Sequence, residues 1–229
     1  MRLFYSFRSR VRLRSDKVNR AHKWQPSTVF NRGVEESDEK VRKSDKALID
    51  RDSIVQCIEA RALAFQGIWI SAPLFLDVLL TLATPADLSP GWPKKTYIER
   101  LWTQRYNKTG HYAHHYDWAS ASKAARRVST FMVYLSSAKE CEGGGTNFPR
   151  LSMPEEKRWC EFVECEGETD GVRKGDGLEG VTFKVRKGAA IFWTNFDAEG
   201  RGYKETIHAG MPVRAGTKIG LNIWSWYQA

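Results

Sequence analysis

The chain has 229 residues, 41% hydrophobic and 28% charged, with a formal net charge of +9. That length and balance fit one soluble globular domain with a real core. Residues 1–24 hold eight Arg or Lys and one acid, so +7 of the +9 sits on this arm and only about +2 remains on the body; a basic arm is not a basic groove, which argues against a nucleic-acid binder.

The opening segment, residues 1–25, is Arg-rich and acid-poor as transit peptides are, without the continuous apolar stretch of a secretory signal. It reads as a disordered or mis-assigned N-terminus, ahead of a single domain over 26–229. The first helix is predicted over 53–66. Ser53 with Gln56 forms a capping-box pattern, Gly67 stands where a glycine stop belongs, and Ile54, Ile58 and Phe65, with Cys57 and Ala62, make one apolar face.

Residues 68–83 are apolar, but Pro73 and Asp77 interrupt them and they are too few for a stable membrane span. From residue 96 the texture is β. Tyr97–Tyr106, Val128–Leu135, Val181–Val185, Ala189–Trp193 and Ile219–Trp226 are short β-branched and aromatic runs between turn residues. Glu164–Glu179 is a polar loop. Many short strands without intervening helices predict a mainly β chain with flanking helices (α+β), folded as a double-stranded β-helix or jelly roll. Of the four cysteines, Cys141, Cys160 and Cys165 flank one loop region, where a local bridge fits an oxidising compartment; free buried thiols are the alternative.

Three clusters carry chemistry. His115 and Asp117 alternate as residues on one face of a strand do, offering two of the three ligands of a two-His, one-carboxylate facial triad. Alone that pattern is weak, because core histidines produce it often. His208 is the only histidine after this cluster, and ten residues on comes Lys218, inside the apolar pattern of Ile219, Leu221 and Ile223. A lysine buried there needs an anion, whereas one at a strand end reaches solvent. Gly143-Gly144-Gly145 permits positive φ or close approach, or is a hairpin turn; with no Lys-Ser/Thr after it, a phosphate loop is excluded.

Taken together, His115-Tyr-Asp117, Arg127-Val-Ser-Thr130 running into Tyr134-Leu135, Gly144-Gly145-Thr146 with Phe148-Pro149, and His208-Ala-Gly210-x-Pro212-Val with Lys218 and Trp224 resemble the catalytic domains of prolyl 4-hydroxylase alpha subunits. These are Fe(II)- and 2-oxoglutarate-dependent dioxygenases. The resemblance covers residues 92–229 closely and 26–66 loosely.

It implies iron ligands at His115, Asp117 and His208, and a salt bridge from Lys218 to the distal carboxylate of 2-oxoglutarate. It further implies Tyr106, Thr146 and Trp224 in the co-substrate pocket and Arg127 near a peptide substrate. The implied reaction is hydroxylation of a C–H bond, most readily of peptidyl-proline, with 2-oxoglutarate decarboxylated to succinate; O2 is the second co-substrate and L-ascorbate an auxiliary. Relatives of this kind often work in the endoplasmic reticulum. The same iron chemistry on a small molecule or a nucleic-acid base, a non-catalytic jelly-roll binding protein, and a zinc hydrolase are the rival readings. Oligomeric state is not legible.

The sequence departs from the family pattern in four places. His114 replaces a proline, the loop from Asp117 to Arg127 is short, and residues before 26 do not match. Residues 68–91 are extra: deleting them joins Gly67 to Trp92 compactly, which reads as an unspliced intron, with a surface insertion as the alternative.

Overall fold

The computed structural model describes residues 24–31, 34–71, 96–118, 125–136, 139–165 and 179–228. The expectations for the basic arm up to residue 23, for 72–91 and for 166–178 of the polar loop lie outside these residues. The elements begin with β1 (Gln25–Pro26), β2 (Val29–Asn31), β3 (Val34–Glu36), β4 (Arg42–Lys43), β5 (Asp45–Leu48) and helix α1 (Ser53–Ser71). Then come β6 (Thr96–Ile98), β7 (Trp102–Tyr106), β8 (His111–His115), β9 (Ala125–Tyr134), β10 (Cys141–Gly143) and β11 (Thr146–Phe148). The last are β12 (Val181–Phe183), β13 (Ala190–Thr194), β14 (His208–Gly210), β15 (Val213–Gly216) and β16 (Lys218–Gln228).

The strands form two principal antiparallel sheets. The larger runs β1-β5-β7-β16-β9-β13 with β6 also on β16; the smaller runs β12-β11-β14-β8-β4. Tyr106, Met132, Tyr134 and Trp193 of the larger sheet pack with Phe148, Val181 and Phe183 of the smaller in one buried cluster, so the sheets face each other as a jelly roll. The far side of the larger sheet is closed by α1, whose Val55 and Ala62 pack with Phe131, Phe192, Leu221 and Ile223. Phe65 adds edge-on contacts with Phe131 at 5.4 Å and Phe192 at 5.1 Å. Strand β16 explains both layers. Ile219, Leu221 and Ile223 turn to the helix, and Lys218, Gly220, Asn222 and Trp224 alternate to the space between the sheets.

The structure corrects the helix in three ways. Asp52, not Ser53, is the cap: its carboxylate accepts the Ile54 and Val55 N–H groups at 3.0 Å each, and its carbonyl accepts the Gln56 N–H. The helix continues through Gly67 to Ser71, because one glycine costs a helix only about 1 kcal/mol. Cys57 is exposed and Val55 takes its place on the buried face.

The run Tyr97–Tyr106 divides into β6 and β7, which pair with successive stretches of β16. Ile98 opposes Ser225 and Trp102 opposes Asn222, so this side carries one residue more than β16, a bulge at Glu99–Leu101. Among the cysteines, Cys160 and Cys165 are joined, while Cys141 is buried and free. Among the described residues no helix is long and apolar enough to cross a membrane.

Candidate functional site

Strand β14 lies against β8 with His208 directly opposite His115. Their rings are 4.3 Å apart, centroid to centroid. Asp117 follows two residues after β8 ends, so a turn and not a continued strand brings it beside His115; Asp117 Oδ1 lies 3.7 Å from His115 Nε2. Ligand atoms of His115, Asp117 and His208 all lie within 4.8 Å of one another.

Backbone carbonyls fix which ring nitrogen is free. His115 Nδ1 donates to the Ala113 carbonyl at 2.9 Å, and His208 Nδ1 donates to the Thr206 carbonyl at 2.8 Å. A carbonyl only accepts, so both rings carry Nδ1–H and present an Nε2 lone pair. On Asp117, Oδ2 accepts from Thr130 Oγ1 at 2.7 Å and from the Trp224 indole N–H at 3.3 Å, while Oδ1 faces His115. Burial, aided by the neighbouring His208, holds the His115 pKa down at about 3, so the ring is neutral. Burial works to raise the Asp117 carboxyl, but the two imidazoles, Arg127 and the Thr130 hydrogen bond outweigh it and keep the carboxylate ionised. Two imidazole nitrogens and one carboxylate oxygen suit a divalent transition metal, and iron(II) fits this donor set.

A β-bulge shapes the strand that carries His115. Two residues lie between Tyr112 and His115, whereas only one lies between their partners Gly210 and His208. The extra residue puts Tyr112 and His115 on one side, their rings stacked at 3.7 Å. His114 turns away and its Nε2 meets the Asn147 carboxamide at 3.0 Å.

The same cavity, about 310 Å³ in volume, contains Lys218, Tyr106, Thr146, Trp224 and Arg127 alongside the triad. Lys218 is 2% exposed and forms no ion pair or hydrogen bond among the described residues. Its ammonium stands 5.2 Å from the Tyr106 ring and 5.5 Å from that of Tyr134. Burial lowers its pKa to about 8. A buried cation with two aromatic rings beside it and no acid is a place for a carboxylate.

Gly143 and Gly144 both have φ near +70°. A Cβ on Gly144 would stand 3.3 Å from the Lys218 stem and 3.0 Å from Val213; Gly144 therefore gives that stem its room. Tyr106 donates its hydroxyl to Gln104 at 2.9 Å, and Thr146 accepts from Tyr134 at 2.7 Å. Arg127 is clamped by Glu99 through two bonds of 2.7 and 3.1 Å and lies 3.7 Å over the Trp224 ring.

Sequence reasoning missed Tyr112, Gln104 and Arg42 as cavity residues. Tyr112 was hidden by the bulge. Gln104 follows from alternation once Tyr106 is placed on β7. Nothing local marks Arg42, which arrives through the pairing of β4 with β8.

The profile of the 2OG-Fe(II) oxygenase superfamily matches residues 101–226. The mouse prolyl 4-hydroxylase subunit alpha-3 is 32% identical over 158 residues, 65% of this chain and 22% of that protein. The chain thus spans about a fifth of the length of such relatives. A viral collagen prolyl hydroxylase from Paramecium bursaria Chlorella virus-1, solved with 2-oxoglutarate, has a TM-score of 0.53 at 24% identity, over 82% of this chain and 80% of that one. A Trichoplax adhaerens prolyl hydroxylase, solved with a hypoxia inducible factor peptide, has a TM-score of 0.55 at 11% identity, over 99% of this chain and 83% of that one. Both structural likenesses concern the fold.

Proposed function

The chain belongs to the 2OG-Fe(II) oxygenase superfamily, and from that premise we propose that it hydroxylates peptidyl-proline, using 2-oxoglutarate and O2 as co-substrates. His115, Asp117 and His208 are the proposed iron ligands. The observation that carries the reading is the pairing, in one cavity, of this triad with a buried lysine that has no acid of its own. A hydrolytic metal site does not require such a lysine, and a plain binding module does not require the lysine and the triad together. A dicarboxylate co-substrate uses it, with one carboxylate on Lys218 and the keto-acid end toward the triad.

When bound, iron(II) with 2-oxoglutarate supplies the oxidant for C–H hydroxylation, and succinate and CO2 are the by-products. The chain's own residues bind, orient and exclude water. Thr130 and Trp224 hold one carboxylate oxygen of Asp117 and leave the other for the metal. Thr146 and Tyr106 flank Lys218 around the co-substrate. Arg127, gripped by Glu99 over Trp224, is a fixed polar edge for a peptide. L-ascorbate would serve as an auxiliary reductant that keeps the bound iron ferrous. Similarity to alpha-3 prolyl 4-hydroxylase subunits supports proline as the oxidised residue.

The test is mass spectrometry of proline-rich peptides after incubation with iron, ascorbate and 2-oxoglutarate. A gain of one oxygen on proline, absent with His208→Ala, is expected. Succinate release without any oxidised proline would retain the dioxygenase and remove the prolyl substrate.

A further inference from the structure

Four cations line the cavity: Arg42, Lys46, Arg127 and Lys218. Two are neutralised where they stand. Lys46 pairs with Glu35 at 3.0 Å, and Arg127 pairs with Glu99 at 2.7 Å. Lys218 is unpaired and is assigned above to the co-substrate. Arg42 is the other unpaired cation. Its Nε donates to the Ser44 hydroxyl at 3.2 Å and one terminal nitrogen to the Thr28 carbonyl at 3.3 Å, both neutral acceptors. It forms no ion pair among the described residues.

The position of Arg42 is fixed relative to the metal ligands. It is the cross-strand partner of Tyr112, and its guanidinium carbon lies 4.4 Å from the Tyr112 ring centroid. Tyr112 in turn stacks on His115 at 3.7 Å. Arg42, Tyr112 and His115 thus form one column running from the cavity's outer part to the triad. A guanidinium has five donors, and two are spent, so a free edge remains for a planar, bidentate acceptor.

We propose that Arg42 recognises a second carboxylate, carried by the peptide substrate near the oxidised proline; this rests on the prolyl reading above. A polyproline II chain rises about 3.1 Å per residue, and Arg42 stands at most about 8 Å from the His115 ring across Tyr112. The acidic residue therefore sits within about three positions of the proline. The substrate class becomes proline-containing peptides with a neighbouring Asp or Glu, rather than uniformly neutral proline repeats.

The experiment uses the full chain with iron, 2-oxoglutarate and ascorbate, and C-terminally amidated proline-rich peptides. Each carries one Glu, Gln or Lys at positions −3 to +3 from a single proline. Proline oxidation should be about tenfold or more faster, as kcat/KM, with Glu than with Gln at one of these positions, and slowest with Lys. Added salt should compress the ratio. Arg42→Gln should abolish the Glu-over-Gln preference, Arg42→Lys should keep part of it, and Arg42→Glu should favour Lys. A free-acid peptide ending at the preferred position distinguishes a terminal carboxylate from a side-chain one. Equal oxidation of Glu and Gln peptides at every position by the unmodified protein would overturn the Arg42 assignment while the prolyl reading stands. So would an Arg42→Gln protein that keeps the preference. Succinate formation with no proline oxidised in any peptide would overturn both.

Discussion

At the scale of single residues, the site is built from groups whose alternatives have been removed. Each imidazole has given its Nδ1–H to a carbonyl, and Asp117 has given Oδ2 to Thr130 and Trp224. Thr130→Val should therefore loosen the carboxylate without removing a ligand, lowering metal affinity by roughly 10–100-fold. Titration of cobalt(II) into the metal-free protein measures this independently of turnover. Lys218 is a second such residue. Lys218→Ala should cost 2-oxoglutarate affinity roughly 2–5 kcal/mol, as truncating one side of a buried charge pair does. With the lysine's pKa lowered to about 8, the free protein loses its anchor charge above that pH, so 2-oxoglutarate affinity should fall by about tenfold per unit once pH passes 8. The sign for folding is opposite. The unfolded lysine keeps its proton to higher pH, so stability without ligand should rise between about 8 and 10.5, the ordinary lysine value. Calorimetry with and without co-substrate separates the two slopes, and affinity flat across pH 7–10 would remove Lys218 from the anchor.

At the scale of elements, register decides what the motifs do. The β14–β8 pairing sets His208 opposite His115, and the bulge beside it turns Tyr112 to the same side. The helix is tied to the sheet by polar as well as apolar contacts. Gln66 Oε1 accepts from Ser129 of β9 at 2.6 Å and from Ser225 of β16 at 2.8 Å, all three residues being buried. Gln66→Leu would leave two buried hydroxyls without their acceptor, at about 1–3 kcal/mol each. The expected result is a Tm lower by about 2–4 °C per kcal/mol lost, with the metal site intact because Ser129 and Ser225 face the helix side.

At the scale of the whole molecule, two sheets enclose a cavity that runs from Lys218 past the triad to the β2–β3 hairpin, and the helix covers the far side of the larger sheet. Residues 68–91 begin in the last turn of α1 and end shortly before β6, away from the motif-bearing strands in sequence. We propose that they are not required by the fold. A protein lacking 68–91 should keep its Tm within a few degrees and its succinate release within about twofold, since shortening a connection changes its closure entropy only slightly. Failure of that variant to fold would make the segment part of the domain, and a transcript lacking these codons would identify it as retained intron.

Much of this protein was written in local pattern. The alternation of Ile219, Leu221 and Ile223 around Lys218 put the lysine on the opposite face from the helix, and the short aromatic runs fell where β7, β9, β13 and β16 stand. The order of the motifs carried the family, and hence the jelly roll. What the chain alone could not decide is anything set by pairing between distant segments. The unsplit run Tyr97–Tyr106 conceals a bulge that only its partner β16 reveals. The helix end depended on a glycine whose cost is small, and its cap on whether Asp52 or Ser53 reached the free N–H groups. Arg42 carries no local signal at all, because its role comes from lying across a strand pair from Tyr112, 70 residues away along the chain. Periodicity records which face a residue takes; only tertiary structure records what the other side of that face presents.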